Sequence, residues 1–451
     1  MTILNKLKES ISRYTTKNES GYFFNTEKEI LNVANQVIER RDINNYVLNK
    51  INFKFDVSGR IYCGYDKKMK PSTSICICDN SLEVLLFTNI LFVEYYCKSL
   101  PYSLMIKQIN LIFKISDRLE HIDLSDLDVI NELINSPLKK VTYQNKSYYG
   151  MSRVKIKNHK ILDLTVLFYE GPIARAYLEV LKSLGYRPKK IIELVSQYDL
   201  ITKKPVGRCL PKFFRTNYSS YKQRKQIHYW AQNYLKKSTK TISGILTELE
   251  INWGVTEDLV KGANKNFPLS FYSDCVESVL ISDLKDPNLL DMLNIEKAGH
   301  FLFTGGGIVP SEMLSINGVK LLHVHPGYLP YLRGADCALW SQLMHDRMSA
   351  SVFYMSEGID TGDLIASYWL PSVRFENLDS IKDTKSLYRL IYAFVDPWVR
   401  AFSLREFVNS IDGNLSKVTS YQQDHSRGIT FHFMHEEIKS KVLERLFIPK
   451  V

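Results

Sequence analysis

No long apolar run occurs in this 451-residue sequence. The most hydrophobic stretch, Leu82 to Tyr96, is interrupted by Glu83 and Glu94, whereas a bilayer span needs about 20 consecutive apolar residues. No membrane span and no membrane partner are expected. The opening MTILNKLKES carries Lys6, Lys8 and Glu9 without an apolar segment, unlike a secretory signal. A cytoplasmic chain is the expectation. Cysteine is scarce, and its count of seven is odd, so a disulfide framework is not expected. Cys76 and Cys78 form a C-x-C pair between Cys63 and Cys97, but the spacing matches no zinc module. The reading is free thiols and no metal. Also missing are internal repeats, low-complexity tracts and a G-x-G-x-x-G fingerprint, which leaves a nicotinamide cofactor little support. Finally, Ile201 to Lys240 contains no Asp or Glu but 11 Lys or Arg, an excess equal to the net charge of +11 of the whole chain.

The composition, 45% hydrophobic and 24% charged, is that of a soluble globular protein. The length predicts two or three domains at roughly 100–200 residues each. Residues 1–158 give a mixed pattern. Helical spacing covers Glu27 to Arg41, Val84 to Tyr96 and Leu124 to Asn135, the last with Ser125 as a cap. Ile51 to Tyr65 reads as strand and turn, and Val141 to Lys157 as a hairpin. No motif in this part carries chemistry, so an accessory α+β domain of unassigned role is expected.

From Leu162 the pattern changes. Leu164 to Tyr169 is a short apolar run, Gly171-Pro172 follows, Ile173 to Leu184 has helical spacing, and Ile191 to Val195 is a second apolar run. That is one βαβ unit, the building block of a parallel sheet. Further strands are expected at Val276 to Ile281, His300 to Thr304, Val319 to Val324 and Ala350 to Met355. Helices are expected at Asn288 to Leu293 and Asp336 to His345. The prediction is an α/β domain over 159–373 with an open, mostly parallel Rossmann-like sheet and a basic insertion at 201–240. A small C-terminal α/β part over 374–451 contains helical residues Thr384 to Asn409, broken near Pro397, a strand at Ile429 to Phe433 and a helix at Glu436 to Arg445.

The densest polar constellation is His323, His325, Arg333, Asp336 and Asp360. His323 and His325 alternate at a strand end, so both face one side. Strand carboxyl ends are where open α/β sheets bind ligands. Asp360 lies in a loop after the next strand, between Gly358 and Gly362. An Asp beside a His orients the imidazole and stabilises its charged form, as acid–base chemistry near neutral pH requires. Two strand-end histidines with only a structural role remain the alternative.

His323 to Asp336, HVHPGYLPYLRGAD, resembles the folate-dependent formyltransferase motif Asn-x-His-Pro or Asn-x-His-Gly leading to Leu-Leu-Pro and Arg-Gly. SEGIDTGDLIA resembles that family's Asp-x-Gly loop. His325 and Asp360 lie 35 positions apart, close to the family interval, and Trp340 falls where the family often has an aromatic residue. The resemblance covers about 160 to 372. It implies the formyltransferase fold and transfer of a formyl group from 10-formyltetrahydrofolate to an amine. His325 would be the catalytic imidazole and Asp360 its orienting partner. Two loops, Gly307, Ile308 and Val309, and Gly358, Ile359 and Asp360, would hold the folate; a plain flexible turn is the alternative for the glycines. Arg333 and Asp336 are candidates for holding the acceptor. His323 stands where the family has Asn, and a retained N–H donor to the oxyanion is the expectation.

Aromatic residues Phe213, Phe214, Tyr218, Tyr221, Tyr229, Trp230 and Tyr234 interleave the cations of 201–240. Such a segment suits contact with a nucleotide or RNA; the alternative is a solvated helix whose aromatics join the core. The preferred acceptor is a small phosphorylated or nucleotide-linked amine, with an amino sugar first. An aminoacyl-tRNA, another one-carbon or acyl transfer, and a non-enzymatic RNA- or nucleotide-binding protein stay open, as does an oligomer.

Overall fold

The structure is a computed structural model. It describes residues 159–296 and 298–449. Before these it describes 5–10, 34, 52–55, 61–64, 75–76, 79–97, 100–119, 124 and 127–135. The expected hairpin at 141–157 and Ser125 lie outside the described residues, as does the helix at 27–41 apart from Ala34. The chain divides into two compact units, one of Met1–Pro137 with Met434–Lys441, the other of Leu138–Phe433 with Val442–Val451.

In the first unit β1 (Asn52–Phe55), β2 (Ile61–Gly64) and β3 (Ile75–Cys76) form an antiparallel sheet. Helices α1 (Asp79–Tyr96), α2 (Tyr102–Ser116) and α3 (Asp128–Asn135) follow. Helix α1 is apolar on most sides and buries Leu82, Leu86, Ile90 and Phe92, the pattern of a core helix. No helix among the described residues is long and apolar enough to cross a membrane. His435 joins this unit by stacking on Phe113 and bonding Asp117.

The second unit is built on a seven-stranded sheet. Its strands are β4 (Lys160–Tyr169), β5 (Tyr186–Ser196), β6 (Val276–Ile281), β7 (Gly299–Phe303), β8 (Val319–His325), β10 (Ser349–Tyr354) and β11 (Leu364–Trp369), in the order β11-β10-β8-β7-β4-β5-β6. β4 to β8 are parallel. Only β10, antiparallel to both its neighbours, runs against them. This is the expected mixed α/β fold with a mostly parallel sheet. The inner strands read as unbroken apolar runs because both faces are covered; Leu164, Val166, Leu167 and Phe168 of β4 are all buried. Burying each large apolar side chain contributes about 1.5–3 kcal/mol.

Helix α4 (Pro172–Ser183) joins β4 to β5. The basic segment lies within the β5–β6 crossover. It contains α5 (Lys212–Ile227) and α6 (Tyr229–Lys237), and α7 (Thr239–Trp253) and α8 (Glu257–Asn264) complete the crossover. Gln223 ties α5 to the backbone of Ser196 and Leu194 in β5. Beyond the crossover come α9 (Pro287–Ile295), α10 (Ser311–Leu314), the short β9 (Leu332–Gly334) and α11 (Cys337–His345). β12 (Phe375–Asn377), α12 (Thr384–Leu390), α13 (Asp396–Ser410), β13 (Ile429–Phe431), α14 (Glu436–Leu446) and β14 (Phe447–Pro449) complete the chain. The expected break near Pro397 is present: α12 ends at Leu390 and α13 starts at Asp396. Pro397 sits in the first turn of α13, where its missing N–H is harmless. One π-helical stretch, Ile391–Val395, connects α12 to α13.

At the end of β4, Glu170 is 3% exposed and grips the fully buried Arg175 with both oxygens, at 2.9 and 2.7 Å. His228 of the basic segment reaches the same carboxylate at 2.9 Å. Burial alone would raise the Glu170 carboxyl, but hydrogen bonds and charge from Arg175 and His228 hold it down at about 2. Removing one member of such a buried pair leaves an uncompensated charge. Glu170→Gln is expected to lose roughly 3–5 kcal/mol in urea denaturation at pH 7. A carboxyl depressed on folding stabilises above its unfolded pKa. The deficit of the variant is therefore expected to be full above about pH 4.5 and to shrink as the pH falls towards 2.

Candidate functional site

Leu321, His323 and His325 alternate onto one face of β8. Leu321 packs in a buried cluster with Phe301, Phe303 and Val309. His323 and His325 continue that face at the carboxyl end, opposite Phe353 and Ser351 of β10. The two histidines differ. His325 is 3% exposed, and its Nε2 lies 2.9 Å from the Leu332 carbonyl oxygen. A carbonyl only accepts, so Nε2 carries the proton. Its Nδ1 faces Asp360 Oδ2 at 3.3 Å. Burial lowers the His325 pKa below its ordinary value; Asp360 opposes this and Arg400 adds to it. A proton at Nδ1 would be held against Asp360.

Half-buried His323 sits with its Nδ1 3.0 Å from the Phe303 carbonyl oxygen. The same logic places its proton on Nδ1. Burial, with the Arg400 charge adding, holds its pKa down at about 4. A neutral ring with Nδ1 protonated offers Nε2 as an acceptor. In that tautomer the ring N–H is directed to the Phe303 carbonyl.

Asp360 is placed by backbone. Its Oδ2 accepts the Gly334 N–H at 2.9 Å, and Gln423 Nε2 donates to the carbonyls of Asp360 and Gly362 at 3.1 and 2.5 Å. Two glycines are required by close approach. A Cβ on Gly362 would lie 1.6 Å from the Tyr354 oxygen. One on Gly327 would lie 2.6 Å from both His325 Nε2 and the Leu332 oxygen.

The other expected residues are distributed unevenly. Gly307 has φ +92°, and a Cβ at Gly306 or Gly307 would meet nothing within 4 Å. Ile308 is 76% exposed, while Val309 is buried in the core and could offer only its backbone. Ile359 is exposed beside Gly358. Arg333 does not present an open cation. Arg333 is 7% exposed, and its guanidinium bonds His425 Nδ1 and the His425 carbonyl. Asp336 starts α11 and accepts the Tyr388 hydroxyl at 2.7 Å. Trp340 is fully buried and donates to the His432 carbonyl. A cavity of about 260 Å³ lined by Lys320, Tyr354 and Asp363 lies by the start of β8 and contains none of the candidate residues.

Sequence reasoning missed Arg400 and Gln423. Arg400 is paired with Asp396 at 3.0 Å and donates to the Val324 carbonyl between the two histidines. No local pattern links it to them, since helix packing makes the approach. In the basic segment, Lys222 pairs with Asp199, Arg224 approaches Glu170 and Arg215 bonds the Val206 carbonyl. Tyr218, Tyr221, Tyr229 and Trp230 are exposed, whereas Tyr234 is buried. Among the described residues no cluster of His, Cys, Asp or Glu has a metal-binding arrangement.

No family model matches the chain. It is similar in sequence to methionyl-tRNA formyltransferase of Syntrophus aciditrophicus, 34% identical over 108 residues, which are 23% of this chain and 34% of that one. The corresponding enzyme of Prochlorococcus marinus (strain MIT 9215) is 28% identical over 138 residues, 30% of this chain and 40% of its own. The chain spans about a third of the length of the first of these relatives. The resemblance to folate-dependent formyltransferases is shown at this level. Among solved structures, an N-formyltransferase of Helicobacter canadensis in complex with folinic acid and dTDP-3-aminofucose aligns with TM-score 0.34 and 10% identity, over 64% of this chain and 84% of that one. A 4-N formyltransferase of Francisella tularensis gives TM-score 0.32 and 15% identity, over 64% and 87%.

Substituting Gly327→Ala is expected to break the His325–Leu332 bond. The expected loss is about 1–3 kcal/mol in urea denaturation, with a shift of the His325 ring N–H resonance.

Proposed function

We propose that this chain, similar as it is to folate-dependent formyltransferases, moves a formyl group from 10-formyltetrahydrofolate to an amine. The observation that carries the reading is the His325–Asp360 pair, 3.3 Å apart where the loop after β10 meets the end of β8, in a chain with formyltransferase relatives. The folate would lie against the backbone of Gly307 to Val309 and of Gly358 to Asp360. The open space over Gly306 and Gly307 and the exposed Ile308 and Ile359 fit a flat heteroaromatic ring. It supplies an activated formyl carbon. Asp360 orients the His325 ring and would offset positive charge on it as charge develops beside the pair. Asp336, which accepts the Tyr388 hydroxyl, is the candidate contact for the acceptor. In this reading residues 159–373 carry the chemistry, 374–451 brace it through Arg400 and Gln423, and 1–158 are accessory.

A small phosphorylated or nucleotide-linked amine is the favoured acceptor, an amino sugar first. The pairing of Lys222 with Asp199, of Arg224 with Glu170 and of Arg215 with the Val206 carbonyl supports this, because these three cations are partly engaged within the fold. A second reading, formylation of an aminoacyl-tRNA, draws on the sequence relatives and on the exposed Tyr218, Tyr221, Tyr229 and Trp230. Filter binding of tRNA across a salt series separates the two, since phosphate contacts give a steep salt slope. A flat or absent response removes the RNA reading.

Mass spectrometry of 10-formyltetrahydrofolate with a panel of nucleotide-linked amino sugars and aminoacyl-tRNA is expected to reveal an N-formyl product. Failure of every amine, together with no binding of a reduced folate, defeats the proposal. Asp360→Asn keeps an acceptor for the Gly334 N–H but loses the charge. It is expected to lower the rate roughly 10²–10⁴-fold while circular dichroism stays unchanged.

A further inference from the structure

The two strand-end histidines cannot do the same work. His325 is sealed in, with Nε2–H on the Leu332 carbonyl and Nδ1 against Asp360. His323 is half-buried, and its one proton is directed to Phe303. Its Nε2 therefore carries a lone pair at the carboxyl end of the sheet and has no hydrogen-bond partner among the described residues. An asparagine amide, which the resemblance would place here, has an N–H to donate and no useful base. The imidazole in this tautomer has the reverse.

We propose that His323 Nε2, rather than His325, takes the proton of the attacking amine; this rests on the formyl-transfer reading above. As the amine nitrogen bonds to the formyl carbon, the carbonyl π pair moves to oxygen and the amine N–H proton passes to Nε2. When the carbonyl re-forms, the bond from carbon to folate N10 breaks. N10 keeps the electron pair and receives the proton from Nε2. The products are the formamide and tetrahydrofolate, and His323 returns to its resting tautomer. His325 and Asp360 then act as positioning residues beside it.

The groups facing His323 agree with a transient role. Arg400 comes from α13, Asp360 from the loop after β10, and His325 from β8 itself. The rings of Phe303 and Phe353 flank it at 6.0 Å each. Burial and Arg400 disfavour a charged ring in the resting site, so Nε2 stays bare across the neutral range. Negative charge developing on the formyl oxygen offsets Arg400 and lets the ring hold the proton until N10 leaves.

Two measurements on the full chain test this. First, ¹⁵N–¹H spectra of the histidine rings, assigned with His323→Asn, are expected to show His323 protonated at Nδ1 and bare at Nε2 at pH 7. The pattern should persist well below the ordinary imidazole pKa. A ring protonated at Nε2 at pH 7, neutral or charged, overturns the proposal without reference to any substrate. Second, hydroxylamine serves as a small amine acceptor with 10-formyltetrahydrofolate, and formohydroxamate is measured above the uncatalysed rate. His323→Asn and His323→Ala are expected to lose roughly 10²–10⁴-fold. Added imidazole should restore His323→Ala in proportion to its neutral form. An asparagine variant as active as the wild-type chain sinks the base role and restores the donor role. A wild-type chain that forms no product and binds no reduced folate instead rejects the formyl-transfer reading itself, while the tautomer result stands apart from it.

Discussion

Asp360 accepts the Gly334 amide at 2.9 Å and faces His325 Nδ1 at 3.3 Å. To do so it adopts φ +53°, a left-handed conformation that costs a non-glycine residue roughly 1–2 kcal/mol. The surrounding backbone holds it there. Gln423 bonds the carbonyls on either side of Thr361, and Gly362 runs so close to Tyr354 that no side chain fits. The loop after β10 is thereby fixed to the end of β8, and His325 has one orientation. Almost every other feature of the site follows from that arrangement.

The same economy of space explains why the strand-end histidines divide. His325 and His323 are two residues apart on one face, but the carbonyls they meet belong to different neighbours. Leu332 lies beyond the turn that follows β8, whereas Phe303 ends β7. Each carbonyl selects a tautomer by accepting one ring proton. His325 has Nε2 protonated and turns Nδ1 to a carboxylate; His323 has Nδ1 protonated and leaves Nε2 bare. Arg400, bonded to the Val324 carbonyl between them, lowers the proton affinity of both rings. At the switch point of the sheet, by contrast, Glu170 and Arg175 neutralise each other in a buried pair. That end of β4 anchors the basic crossover through His228.

Much of the fold was legible because several strands, the edge strand β6 among them, are short apolar runs separated by glycine, proline and helical spacing. Leu164 to Tyr169, Ile191 to Val195, Val276 to Ile281 and Val319 to Val324 each fall within a strand of the sheet. The edge strand β11 was not read, because LIASYW is only partly buried and lacks a clean alternation. Helices α7 and α8 were passed over beside the basic run, whose charge masked its role as a crossover. The break near Pro397 was legible because proline is tolerated in a helix's first turn and not in its interior, and α13 begins there.

For the site, local sequence determined which residues share a face and which loop turns tightly: a period of two on β8 places His323 with His325, and the glycines around Asp360 permit a close approach. Local sequence does not say where a side chain's hydrogen-bond partners come from. The carbonyls of Phe303 and Leu332, the amide of Gly334, the charge of Arg400 and the amide of Gln423 arrive from four different segments, Leu332 and Gly334 sharing β9. Only the tertiary packing of those segments decides that Arg333 bonds His425 and that His323 presents a lone pair, because a ring's proton follows the acceptor nearest to it in space.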